Sequence, residues 1–146
     1  MSEDLTRRDF VSNSSKLAMG AMIVPRHVIG GVGYQAPSDT LNIAIVGAGG
    51  MGGENAQEFG TENIVAVCDI DHRLVANKVE ERSTDGNGDP REQGVRWKEQ
   101  YTNAKKYTHF RTMLDEQPDI DAVLIATPDH AHAVIAAAAM RAGKHV

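Results

Sequence analysis

The chain has a single cysteine, Cys68, in 146 residues. No internal disulfide can form, so the fold must be stable without one in whatever compartment it works. Long apolar runs are also missing. The mildly apolar stretch at residues 17–24 is broken by glycine and falls far short of the roughly 20 residues a helix needs to cross a bilayer, so no membrane span is expected. Positive charge is scarce: 15 Lys and Arg face 20 Asp and Glu, for a net charge of −5. The basic residues form no stripe that could follow a phosphate backbone, which argues against nucleic acid as a partner. There is no internal repeat.

What is present is ordinary for a globular chain, with 41% apolar and 24% charged residues, and the length allows one domain with its own core. The N-terminal part differs from the rest. Thr6-Arg7-Arg8-Asp9-Phe10-Val11 precedes a polar Ser/Asn stretch and the weak apolar run ending at Pro25. That is the layout of a twin-arginine export signal, with a frayed amphipathic tail as the alternative. Tyr34-Gln35-Ala36 offers one small residue before a cut, and Pro37 is a poor first residue, so the cleavage position stays open. The expected organisation is signal and linker over 1–36 and a nucleotide-binding domain over 37–146, in a periplasmic or secreted protein.

From Leu41 the texture alternates between apolar strands and amphipathic helices, the pattern of a parallel sheet with crossovers. Strands are expected at 41–46, 64–68, 107–110 and 121–126. Helices are expected at 51–59, 73–82, somewhere within 91–106, as a turn at 112–116, and at 131–142, with Gly143 as C-terminal cap. Residues 83–90 are rich in Gly, Asp and Asn and read as a surface loop. His145 and Val146 would open a fifth strand. The fold class is α/β, a Rossmann-type doubly wound parallel sheet.

Gly47-Ala48-Gly49-Gly50-Met51-Gly52 follows the first strand directly. The diphosphate of a dinucleotide needs backbone N–H donors where a helix begins, and G-x-G-x-x-G provides them. Gly47 permits the tight turn, Gly49 keeps side chains away from the phosphates, Gly50 and Met51 carry the backbone into the helix, and Gly52 lets that helix approach the sheet. The motif alone is weak, and a flexible turn is its bland reading. It is strengthened by the preceding strand, the following helix and Asp69, which closes the second strand about 20 residues on. Asp69 would accept hydrogen bonds from ribose hydroxyls, favouring NAD over NADP, unless it is only a solvated strand-end carboxylate. Arg73 blurs that choice, since a guanidinium one turn on could stack on adenine or pair with a phosphate; it could equally be a solvated helix residue.

Ala126-Thr127-Pro128-Asp129-His130-Ala131-His132 ends the fourth strand, and ligands of doubly wound sheets bind beyond such carboxyl ends. Pro128 fixes the exit of the strand and Asp129 is expected to cap the next helix. His130 and His132, two apart, cannot share one metal from a helix, and no further ligands complete a site. Both can also be read as polar residues at a helix start.

The segment 41–53, Cys68-Asp69-Ile70-Asp71, the stretch 105–114 and above all Ala126-Thr127-Pro128-Asp129-His130-Ala131-His132 resemble the Gfo/Idh/MocA family of glucose-fructose oxidoreductases and inositol dehydrogenases. Pro25-Arg26-His27-Val28-Ile29-Gly30-Gly31 and Ala36-Pro37-Ser38-Asp39 resemble the leader junction of its exported bacterial members. The resemblance implies a Rossmann domain followed by a larger α+β domain that binds a sugar, polyol or related carbohydrate and commonly mediates homo-oligomers. The family pattern Thr-Pro-Asn-x-x-His falls on Thr127, Pro128, Asp129 and His132, with aspartate replacing asparagine. The family's catalytic lysine belongs to a Glu-Lys-Pro motif expected beyond Val146. Lys144 is not its equivalent, so no catalytic residue is assigned and the chain alone is expected to be inactive. The resemblance implies an NAD(P)-dependent oxidoreductase, with an NAD-dependent glycosidase or a non-catalytic nucleotide-binding fragment as alternatives.

Overall fold

The computed structural model describes Ala36 and residues 39–146; the twin-arginine segment and leader junction lie outside the described residues. The unit that begins at Thr40 runs β1 (Asn42–Val46), α1 (Met51–Ala56), β2 (Asn63–Cys68), α2 (His72–Arg82), α3 (Glu92–Asn103), β3 (Lys105–Tyr107), α4 (Phe110–Glu116), β4 (Ala122–Ile125) and α5 (Asp129–Arg141). All strand pairings in the sheet are parallel, in the order β3-β2-β1-β4. His145 adds one parallel bridge to Ala122 on the outer side of β4, the place where a fifth strand was expected to start.

Side chains of the central strand β1 point alternately to opposite faces, and both faces are covered. Ile43 and Ile45 join Val75, Val79, Trp97 and Tyr101 of α2 and α3 in one core. Ala44 and Val46 join Met113 of α4 and Ile135 and Ala139 of α5 in the other. This is the doubly wound α/β architecture read from the sequence. The register of β1 on β2 shifts between Ile43 and Ala44, where β2 carries one extra residue, Val65. That bulge is why Ile64 and Val67, three apart, share a face.

Several boundaries differ from the sequence reading. Helix α1 stops at Ala56 rather than 59. The third strand is Lys105–Tyr107, not 107–110, and Phe110 already opens α4. Two adjacent lysines look unlike a strand, but β3 is the sheet edge, where lysine is tolerated and discourages further pairing. Lys106 turns its ammonium back onto the end of α3, donating to the carbonyls of Tyr101 and Ala104 and standing 4.3 Å from the centre of the Tyr101 ring. Helix α3 is a full 12 residues, because Gly94, Trp97 and Tyr101 recur at helical spacing and are all buried. Gly143 has φ +75° and ends α5 as expected.

Candidate functional site

The carboxyl ends of β1, β2 and β4 meet at the glycine turn. Gly47 has φ +87°, and a Cβ on it would lie 2.7 Å from the carbonyl oxygen of Ala126, so the turn fits against β4 only without a side chain. A Cβ on Gly52 would lie 2.1 Å from the Gly47 carbonyl oxygen and 3.1 Å from Ala126 Cβ. Helix α1 therefore starts in direct backbone contact with the strand ends. The first-turn amides of Met51 and Gly52 have no intrahelical acceptor by construction. Gly50 precedes them, exposed, with no side-chain cap.

Asp69 reaches back to this turn from the end of β2. Its Oδ2 accepts the amide hydrogens of Ala48 (2.8 Å) and Gly49 (3.2 Å), and its Oδ1 accepts that of Asp71 (3.0 Å). Two ionised oxygens offer about four acceptor positions. Three are used within the chain, so one remains for an incoming hydroxyl. The sequence reading gave Asp69 only the ligand-facing task; its tie to the turn was missed, although a 20-residue spacing between loop and acid is the signal that brings them together. Arg73 lies exposed in the first turn of α2.

Around this polar centre stand exposed apolar side chains. Ile70 is 92% exposed, Met51 63% and Leu74 48%, and Leu74 Cδ2 is 3.5 Å from the Cβ position of Gly49. Ile70 directly follows the engaged carboxylate in the chain. Sequence reading gave Ile70 and Leu74 no role: Leu74 fits the apolar pattern of α2, and Ile70 lies between β2 and α2.

The segment after β4 lies against the same turn. Thr127 Oγ1 is buried with no hydrogen-bond partner, and a Cβ on Gly47 would lie 3.1 Å from the Thr127 nitrogen. Pro128, with φ −55° and ψ 151°, is itself the N-cap of α5. The expected capping by Asp129 is not observed: Asp129 is the first helical residue, makes no cap hydrogen bond, and adds negative charge to the first turn. His132 is exposed, with Nδ1 3.3 Å from the Thr127 carbonyl oxygen. A carbonyl only accepts, so as a hydrogen bond this contact requires a proton on Nδ1. His130 is exposed and takes no part in this contact.

Thus the structure brings Gly47, Gly49, Gly50, Met51, Gly52, Asp69, Thr127 and Pro128 to the carboxyl end of the sheet, with His132 one helical turn behind. Among the described residues no group of three or more His, Cys, Asp or Glu could hold a metal ion, and no helix is long and apolar enough to cross a membrane. Beneath the site, burial together with the neighbouring Asp69 charge pushes the Cys68 thiol up to about 11. It is held as a neutral, unreactive group.

The site fits a dinucleotide. A cradle closed to any Cβ at Gly47 and Gly52, a carboxylate with spare acceptor capacity and an orphaned buried hydroxyl at Thr127 converge there. Comparison with known proteins agrees. Two curated relatives are each named glycosyl hydrolase family 109 protein. The one from Shewanella pealeana is 29% identical over 97% of this chain and 32% of its own length. That from Stenotrophomonas maltophilia is 28% identical over 95% of this chain and 28% of its own. The chain thus spans about a third or less of these relatives. A crystal structure of an NAD-binding protein from Listeria innocua superposes with a TM-score of 0.51 at 26% identity, covering 73% of this chain and 26% of that one. Residues 41–146 match the family described as oxidoreductase, NAD-binding Rossmann fold, and the chain belongs to this Gfo/Idh/MocA family.

Proposed function

We propose that this chain is the nucleotide-binding part of an exported NAD-dependent oxidoreductase that acts on a carbohydrate. The observation that carries the reading is the convergence of the glycine turn and the Asp69 carboxylate, tied by two amide hydrogen bonds at the end of β2. In this reading the amides of Gly50, Met51 and Gly52 hold the diphosphate and the remaining acceptor position of Asp69 takes a ribose hydroxyl. An added 2′-phosphate would meet that charge, so NAD is preferred over NADP. Ile70 and Leu74 shelter the base, and Arg73, exposed in the first turn of α2, stacks on it. Thr127, Pro128, Asp129 and His132 line the opposite side of the turn. The bound nicotinamide supplies hydride acceptance; the chain's own residues bind it and orient it.

Export rests on Arg7-Arg8 and the weak apolar run after them. A non-covalently held nucleotide is loaded where it is made, and a route that carries folded proteins would preserve it. In this setting the enzyme recycles a tightly bound cofactor and works with the rest of its protein, including a carbohydrate-binding domain that can also join subunits.

The names of the two relatives favour a second reading, in which transient oxidation assists cleavage of a glycosidic bond. The complete protein, supplied with NAD and a panel of sugars and glycosides, separates the two. A dehydrogenase accumulates reduced nicotinamide in step with substrate consumed, and a glycosidase releases sugar with no net reduction. Neither outcome with any carbohydrate, from a protein that binds NAD, would overturn the catalytic reading.

A further inference from the structure

The sequence carries a glycine that the G-x-G-x-x-G spacing does not require. Gly53 follows the motif in the second position of helix α1 past Met51, and an alanine would be the better helix former. The structure shows what occupies the room. A Cβ on Gly53 would lie 2.4 Å from the carbonyl oxygen of Ala48 and 2.8 Å from Nη1 of Arg82, the last residue of α2, whose side chain is only 13% exposed. Nη2 of Arg82 donates to the carbonyl oxygen of Gly50 (3.1 Å) and to Glu54 Oε1 (3.4 Å). Nη1 is buried without a hydrogen-bond partner.

This is a costly place for a guanidinium. A buried cation needs close compensation, yet the carboxylate it hydrogen-bonds among the described residues, Glu54, is 57% exposed and at the long end of hydrogen-bonding distance. A role confined to stability would be better served by an apolar side chain of similar volume. What the guanidinium does add is a further, charged donor on one peptide plane, whose Gly50 carbonyl also accepts the amides of Gly53 (3.1 Å) and Glu54 (3.4 Å). The Gly50–Met51 peptide is rigid, so fixing the Gly50 carbonyl fixes the direction of the Met51 amide on the opposite side. A charged donor on that carbonyl also polarises the peptide and strengthens the amide as a donor.

We propose that Arg82 is a positioning residue for the cofactor site: by clamping the Gly50 carbonyl through the gap left at Gly53, it holds the glycine turn in the orientation that grips a dinucleotide's diphosphate. The inference rests on the reading of the turn as a nucleotide site. It assigns a task to a side chain 32 positions from the turn in sequence.

The test is calorimetric titration of the wild-type chain and its R82Q and R82K variants with NAD, ADP and adenosine, with thermal melting alongside to confirm folding. R82Q removes the fork and the charge, and NAD and ADP should bind about tenfold more weakly. Adenosine, which has no diphosphate, should change by less than about twofold. R82K keeps the charge and one donor and should lose only about threefold for ADP. Equal affinity of wild type and both variants for NAD and ADP overturns the inference while leaving the nucleotide site intact. A loss for adenosine as large as that for ADP also overturns it, since a general loosening of the fold would act that way. Should R82Q fail to fold, R82K decides by the same comparison of ADP with adenosine. Failure of the folded wild type to bind NAD would instead overturn the nucleotide reading itself, and this inference with it.

Discussion

Asp69 accepts the amide hydrogen of Ala48 at 2.8 Å, so the acid at the end of the second strand holds the turn at the end of the first. A second amide, that of Gly49, converges on the same oxygen. Hydrogen bonds to a charged acceptor contribute about 1.5–3 kcal/mol, and removing the acceptor leaves two donors of the turn without their partner. Asp69→Ala should therefore lower stability by about 1–3 kcal/mol in chemical denaturation. The same variant should lose its preference for NAD over NADP. Asn at this position keeps one acceptor oxygen and should fall between the two in stability. An Asp69→Ala protein as stable and as selective as wild type would remove Asp69 from both tasks.

The close approach at Gly52 gives a sharper contrast. Its alanine variant puts a carbon 2.1 Å from the Gly47 carbonyl oxygen, and the helix must shift away from the strand ends. The expected cost is about 1–3 kcal/mol, as for other overpacked sites. Gly86, in the 83–90 loop, has nothing within 4 Å of its Cβ position and no positive φ. Gly86→Ala should change stability by less than about 0.5 kcal/mol. Denaturant midpoints of the two variants, measured side by side, check the difference.

Thr127 should respond with opposite signs in two assays. Its Oγ1 is buried without a partner, a situation that costs about 1–3 kcal/mol in the free protein. Thr127→Val keeps the shape and removes the orphaned hydroxyl, so melting of the unliganded protein should rise or stay level. If that hydroxyl is kept for the cofactor, NAD affinity should fall about five- to tenfold. A variant that melts lower and binds NAD equally well would mean that Thr127 serves the fold.

Cys68 lies just under the site, with burial the main cause and Asp69 the second cause of its pKa rising from 9.0 to about 11. Between those values the unfolded chain releases the thiol proton and the folded chain keeps it. The folded state then binds more protons, so the stability due to this group is full below 9.0 and declines as pH rises toward 11. At pH 8 the thiol should react with a disulfide reagent only after denaturation. Rapid labelling of the native protein would show that the end of β2 is open to solvent.

Much of this arrangement was legible in the sequence because each signal was local. Buried strands such as 42–46, the glycine turn and the alanine-rich last helix announce themselves within a few residues. The edge strand was misplaced because lysine at 105 and 106 is permitted only by its position in the sheet, which no local pattern states. Asp129 looked like a cap, yet Pro128 already supplied the extended geometry that begins the helix. Arg82 was invisible as part of the site. Its meaning comes from the packing of α2 across α1, and a charged residue at a helix end reads as solvated until that packing is seen.

The most direct test is a titration of the folded protein with NAD and with NADP, following heat and melting temperature together. We expect one NAD bound per chain, a rise in melting temperature, and NADP weaker by about tenfold or more. A folded protein that releases no heat with either dinucleotide, and whose melting temperature neither one moves, would contradict the assignment of the glycine turn and Asp69 as a nucleotide site.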